Sequence, residues 1–266
     1  MSILKPPLWA PGIVPSHPIN RGLVGAWPMW EGSGNVVHDV SGNGNHGTLT
    51  GMAADDWVQS PYGHALDLDG SNDHILMPLV VASPPFSVVS LFRASASVQY
   101  LFSISDTGSL NNSHVLESRQ VSGYARVYSY SSGGFGQARA LGTYSVGEWY
   151  IAVGVWAADD SRTCYLAGIA SGSDATLISP TGLDETRIGS NGSSSPSYGP
   201  MQAALTLLYN RALTAAEIAQ LYADPWAGFR QQDETALWSA ATQGGGTPPG
   251  LAMPVAMHHY RQMRCA

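Results

Sequence analysis

Apolar and polar residues alternate with a period of two along most of the chain, and only one stretch keeps a helical period. Segments 86–92 (FSVVSLF), 100–104, 114–119, 124–130, 149–156 and 163–169 read as strands, separated by Gly, Ser, Asn and Asp turns. Segment 149–156 (WYIAVGVW) is nearly continuous in apolar residues and is expected to lie inside a sheet. Asp159, Asp160 and Ser161 turn it back into 163–168 as a hairpin, and 203–209 (AALTLLY) is the last strand of the body. Segment 62–78 reads as another hairpin, with 65–69 and 73–77 as strands around Gly70 to Asn72. The one helix begins at Thr214, an N-cap with Glu217 three residues on. Leu213 and Ile218 are placed to staple it, Leu221 and Tyr222 continue its apolar face, and Asp224-Pro225 ends it.

One segment breaks the alternation. After a short apolar strand at 22–27, the chain runs through a Gly- and Asn-rich block to a Thr-Leu-Thr strand near residue 50. Gly and Asn adopt positive φ at low cost, so the block reads as a sharply turned loop of defined shape. Asp39, Asn43 and Asn45 concentrate oxygen atoms within it. Two readings stand: the side chains bond their own backbone in Asx-turns, or they help hold a hard cation such as calcium.

Composition fits an all-β body and limits what it does. The chain has 266 residues, 30 of them Gly and 17 Pro, and only 12% are charged. Lys5 is the single lysine. A surface so poor in charge suits a protein whose faces are covered by neighbours, or one that displays Ser, Thr and Asn to water. The net charge of −7 argues against a broad nucleic-acid surface. No apolar run approaches the length that spans a bilayer, and MSILKPPLWAPGIVP does not read as a signal peptide. The expectation is a product made in a cytoplasm. Cys164 falls in a strand pattern and reads as a buried thiol; Cys265 is penultimate, and two cysteines make no disulfide framework, although a pair between them stays open.

Four parts are expected. Residues 1–20, with Pro6, Pro7, Pro11, Pro15 and Pro18, form an arm that builds no core. Residues 21–230 form the body, 231–250 a linker containing QGGGTPPG, and 251–266 a tail with no acidic residue. Met253, Met257, Tyr260, Arg261 and Arg264 make the tail apolar and basic, which reads either as a segment that docks on a partner or as an end without a role.

GLVGAW, DVSGNGNHGTL, ALDLDGSNDHI and LTLLYNRALTAAEIAQLYADP occur in this order over roughly residues 20 to 225. Together they resemble laminin G-like, or concanavalin A-like, jelly-roll domains. The resemblance implies an all-β sandwich with one short helix and extended N- and C-terminal arms. It also implies that the Asn/Gly loop and the 69–73 turn sit near each other at the rim. The candidate calcium ligands are then Asp39, Asn43, Asn45, Asp69, Asn72 and Asp73. The order of segments is similar to that of such proteins from phages and prophages. The expected role is therefore a capsid decoration or tail-associated subunit, located in the virion and bound to capsid or other virion proteins, with self-association.

Candidate chemistry is sparse. Glycosidases on this sandwich resemble one another in a Glu-x-Asp-x-x-Glu strand, which this chain lacks, and no nucleophile elbow, P-loop or His-Glu-x-x-His run occurs. His38, His46, His64 and His74 lack zinc-site spacing. The expectation is a non-enzyme. A carbohydrate-binding or adhesion module is the alternative, in which Trp57, Tyr62, Tyr128, Tyr130 or Tyr198 stacks on sugar rings of host or mucus glycans. A glycan hydrolase ranks below both.

Overall fold

The structure, a computed structural model, describes residues 12–119, 122–142, 144–167 and 170–229. The chain divides at Arg230, and the second unit, Gln231–Ala266, lies outside the described residues. The expected docking residues Met253, Met257, Tyr260, Arg261 and Arg264 fall there, as does Cys265.

The first unit is a two-sheet antiparallel β-sandwich, as the alternation predicts. In chain order its strands are β1 (Leu23–Trp27), β2 (Val36–Val37), β3 (Gly47–Thr50), β4 (Trp57–Ser60), β5 (Gly63–Leu68), β6 (His74–Pro78), β7 (Phe86–Arg93) and β8 (Val98–Ser105). They continue with β9 (Ser113–Arg119), β10 (Tyr124–Ser131), β11 (Gly134–Leu141), β12 (Trp149–Ala158), β13 (Ser161–Leu166), β14 (Ala170–Asp174), β15 (Glu185–Ile188) and β16 (Met201–Tyr209). One sheet runs β14-β13-β12-β7-β16-β5-β4, with β1 also on β16; the other runs β11-β10-β9-β8-β15-β6-β3-β2. Helix α1 is Ala215–Ala223.

The two sheets share a core of Trp27, Leu66, Leu68, Phe86, Phe102, Leu116, Val127 and Trp156 among others. The first sheet is buried on its outer face too. There α1 contributes Ile218 and Leu221, the flanking segments contribute Ile19, Trp226 and Phe229, and all pack on Val89, Leu91, Leu205 and Leu207. A strand covered on both sides is mostly apolar on both faces, which is why β12 reads as a nearly continuous run and why β7 and β16 interrupt theirs mainly with small Ser and Thr. The capping box forms as expected: Thr214 Oγ1 accepts from the Glu217 backbone N–H at 3.3 Å, and Glu217 Oε2 accepts from Thr214 N–H at 2.9 Å.

Two expectations change. The 62–78 segment is an arch between sheets, not a hairpin: β5 pairs with β4 and β16, whereas β6 pairs with β3 and β15. Leu66 and Leu68 face Ile75 and Met77 across the shared core, so the chain crosses it at residues 69–73. Period-two strands and turn residues look alike in both cases, and only the position of the second sheet separates them. The N-terminal arm does build core in its second half. Val14 N–H donates to Gly228 O, Asn20 Nδ2 donates to Val14 O and Gly228 O, and Ile19 is buried. Pro18 fits the first turn of a short 3-10 helix there, so it helps to pack the segment.

Candidate functional site

Among the described residues no helix covers the outer face of β9 to β11 in the second sheet, and its composition is distinctive. Alternation in β9 turns Leu116 to the core and Glu117 and Arg119 outward. In β10 it turns Ala125 and Val127 inward and Tyr124, Arg126, Tyr128 and Tyr130 outward. In β11 Ala138 and Ala140 are inward while Phe135, Gln137 and Arg139 are outward. Register then aligns Tyr100 of β8, Glu117 of β9, Arg126 of β10 and Arg139 of β11 in one row across four strands.

Glu117 is the centre of this row. Its Oε1 accepts from Arg126 Nε at 2.5 Å and from Arg119 Nε. Arg126 Nη1 donates to Gln137 Oε1 at 2.8 Å, and Arg139 Nε donates to the same oxygen at 3.2 Å. The guanidinium of Arg126 lies 4.8 Å from the ring centre of Tyr128, and that of Arg139 lies 4.8 Å from the ring centre of Tyr124. Phe135 packs on Tyr128 and Tyr130 with ring centres 5.5 and 5.7 Å apart, yet is 41% exposed. The Glu117 side chain is 1% exposed and its Oε2 has no hydrogen-bond partner. The carboxylate charge is thus met by two guanidinium groups inside a nearly closed site.

Electrostatics follow from the same contacts. Burial works against the charge of Arg119, but the hydrogen bond to and attraction of Glu117 outweigh it and raise the guanidinium pKa. Burial, then the Glu117 charge, pushes the Tyr100 and Tyr128 hydroxyls above their usual range, so both are neutral donors at pH 7.

One wall of the face is the loop at 189–199. Ser103 Oγ donates to Ser190 O at 2.8 Å, Ser105 Oγ donates to Asn191 O, and Tyr198 packs on His74. A Cβ on Gly199 would lie 2.4 Å from Val98 O, so only glycine lets the loop press this closely on β8.

The residues proposed from sequence divide. Asp39, Asn43 and Asn45 do come together, around β1. Asp39 Oδ1 accepts from Ala26 and Ser41 N–H, and its Oδ2 from Ser41 Oγ and Asn45 N–H, all at 2.8–2.9 Å. Asn43 and Asn45 donate to Leu23 O and Val24 O. These bonds account for the loop's shape by the Asx reading. Asp69 and Asp73 hold the 69–73 turn, accepting from Ser71 N–H and Asp69 N–H, while Asn72 O bonds the His74 ring. Among the described residues no group of three or more His, Cys, Asp and Glu side chains is placed to hold a metal. Trp57 is core, with Nε1 donating to Gly34 O. Tyr62 lies beside Trp149 in a separate cavity of about 230 Å³ next to α1, which offers tyrosine hydroxyls but no charged group. Tyr128 and Tyr130 lie on the Glu117 face. Sequence reading passed over β11, and with it Gln137 and Arg139; the alternation F-G-Q-A-R-A-L was the available signal, muted by small inward residues.

No family profile and no curated protein matches the chain. Solved structures do. Domain 4 of AbnA, a GH43 extracellular arabinanase from Geobacillus stearothermophilus, in complex with arabinotriose, matches with a TM-score of 0.59 at 17% identity, over 75% of this chain and 98% of that domain. Trypanosoma rangeli sialidase in complex with the inhibitor DANA matches with a TM-score of 0.56 at 17% identity, over 75% of this chain and 32% of the sialidase. The same sialidase with sialic acid gives 0.57 at 19% identity, over 76% and 32%. The chain thus spans about a third of the sialidase's length. The expectation of a non-enzyme is corrected by these matches: this sandwich occurs inside glycoside hydrolases, and a missing Glu-x-Asp-x-x-Glu strand no longer excludes that context. At these identities the likeness is one of fold, and the chain is a β-sandwich of the kind built into carbohydrate-active enzymes.

Proposed function

We propose that this protein binds glycans on the outer face of β8 to β11. The observation that carries the reading is the row of Glu117, Arg126 and Arg139 across β9 to β11, flanked by Arg119 and by Tyr124, Tyr128, Tyr130 and the exposed Phe135. Sugar hydroxyls accept from outward guanidinium N–H groups such as those of exposed Arg139, and the ring C–H face of a sugar stacks on Tyr and Phe. Arginine and glutamine held by their neighbours offer fixed polar partners at low ordering cost. The complex of AbnA domain 4 with arabinotriose supports the class of ligand. A glycan array with the full-length protein, followed by calorimetry on the hits, tests it. Binding that falls about tenfold or more in both Glu117→Gln and Tyr130→Ala is expected; an array without hits removes the reading. Tyr130 is half-buried near the end of β10 on the outward side of the sheet, so its replacement is expected to leave the fold intact.

Display of this face on a virus particle is a separate proposal. Its support is the charge-poor composition and the resemblance to phage proteins. Co-sedimentation with particles from the same source tests it, and protein that stays in the supernatant removes it.

A further inference from the structure

The geometry points to a carboxylate-bearing sugar residue as the ligand of this face, with Arg139 reading its charge. The inference rests on the glycan reading above and adds the ligand's charge class.

The chain as a whole carries a net charge of −7, yet this face is positive. Arg119 and Arg126 share the single carboxylate of Glu117. Further along the sheet Arg187 pairs with Glu185 one to one. Arg139 pairs with no carboxylate among the described residues; its Nε goes to the neutral amide of Gln137. The face therefore holds three guanidinium charges against one carboxylate, with Arg126 and Arg139 directly opposite each other in register. Two like charges side by side are unfavourable, and an anion between them relieves the repulsion. The loops at 132–133 and 190–199 contain no acidic residue, and Asp106 in 106–112 accepts from Gly108 N–H and Asn112 Nδ2.

Arg139 is also held in place. Tyr124 lies beneath its guanidinium and Gln137 fixes its Nε. Its strand is pinned from behind, because Gly172 of β14 approaches so closely that a Cβ there would lie 1.9 Å from Arg139 O. A planar fork held this way presents its remaining N–H groups outward, the arrangement that takes a carboxylate in two parallel hydrogen bonds.

The test compares two ligands of one shape: trigalacturonate and its fully methyl-esterified, neutral form. Calorimetry with the full-length protein is expected to show the acid binding about tenfold tighter. That advantage shrinks as salt rises from about 50 to about 500 mM. Arg139→Gln is expected to abolish the preference, whereas Arg21→Gln, an exposed arginine outside this face, keeps it. Melting curves of both variants check that the fold is intact. Equal affinity for acid and ester, or array hits confined to neutral glycans, overturns the charge inference and leaves the glycan reading standing. Absence of binding to any sugar overturns both.

Discussion

Asp39 gives the sharpest test of how the Asn/Gly loop is held. Asp39→Ala removes four hydrogen bonds at once, to Ala26 N–H, Ser41 N–H, Ser41 Oγ and Asn45 N–H. Their weights differ. Ala26 is fully buried in β1, so its N–H finds no water and costs about 1.5–3 kcal/mol when orphaned. Ser41 and Asn45 are only half-buried, and water replaces the lost carboxylate there at about 0.5 kcal/mol each. With three such bonds the sum is about 3–4.5 kcal/mol, a large part of the 5–15 kcal/mol typical of a folded domain. Asp39→Asn keeps one oxygen for Ala26 and Ser41, and is expected to cost about half as much. Urea unfolding followed by tryptophan fluorescence is the assay, since Trp27 Nε1 donates to Asn45 O at 2.7 Å and reports on this loop directly. A loss below about 1 kcal/mol for Asp39→Ala refutes the reasoning. Repeating the series in EDTA separates hydrogen bonds from a bound ion. The same loss with and without chelator assigns it to the hydrogen bonds; a loss that vanishes in chelator assigns it to a cation on Asp39.

Three further outcomes are expected. Glu217 is held at about 2, first by its hydrogen bonds to Arg211 and then by those of the capping box against burial, so its folded pKa lies below the unfolded value of 4.5. Its contribution is therefore complete above pH 4.5 and is lost as pH falls towards 2. Glu217→Gln should cost about 1–2 kcal/mol at pH 7 and progressively less under acid, and a gap that stays constant between pH 7 and about 3 in urea titrations would count against the linkage. Burial pushes the Cys164 thiol up to about 12, so the native protein should resist iodoacetamide at Cys164 and react once unfolded, read by mass spectrometry of its peptide. Rapid native labelling would show that this strand opens. Gly172→Ala meets backbone, which cannot swing aside, and should destabilise by about 2 kcal/mol or more; an unchanged melting temperature would show that β14 has room to shift.

The strands were legible because each burial pattern is local. In β9, Leu116 points inward and Glu117 outward whatever lies next to them, and in β12 a nearly continuous apolar run already announces cover on both faces. The helix was legible to the residue, since Thr214, Glu217, Leu213 and Ile218 all act within one turn of its start. The Asn/Gly loop declared its shape, and only the bonds of Asp39 showed how that shape is held.

Which strands lie side by side is another kind of information. The arch at 69–73 looks like a hairpin until the second sheet supplies a different partner for β6. The candidate site depends on such pairings throughout. Tyr100, Glu117, Arg126 and Arg139 are spread over 40 residues and become one row only through three registers. No period within a segment encodes that row, and the strand that ends it, β11, is itself muted by glycine and alanine. The sequence by itself therefore determined which residues turn inward, where the chain reverses and where its helix begins, because those are settled by neighbours within a few residues. Tertiary structure alone decided that a glutamate and three arginines meet on one face, because charges on separate strands acquire their partners only when the sheet has formed.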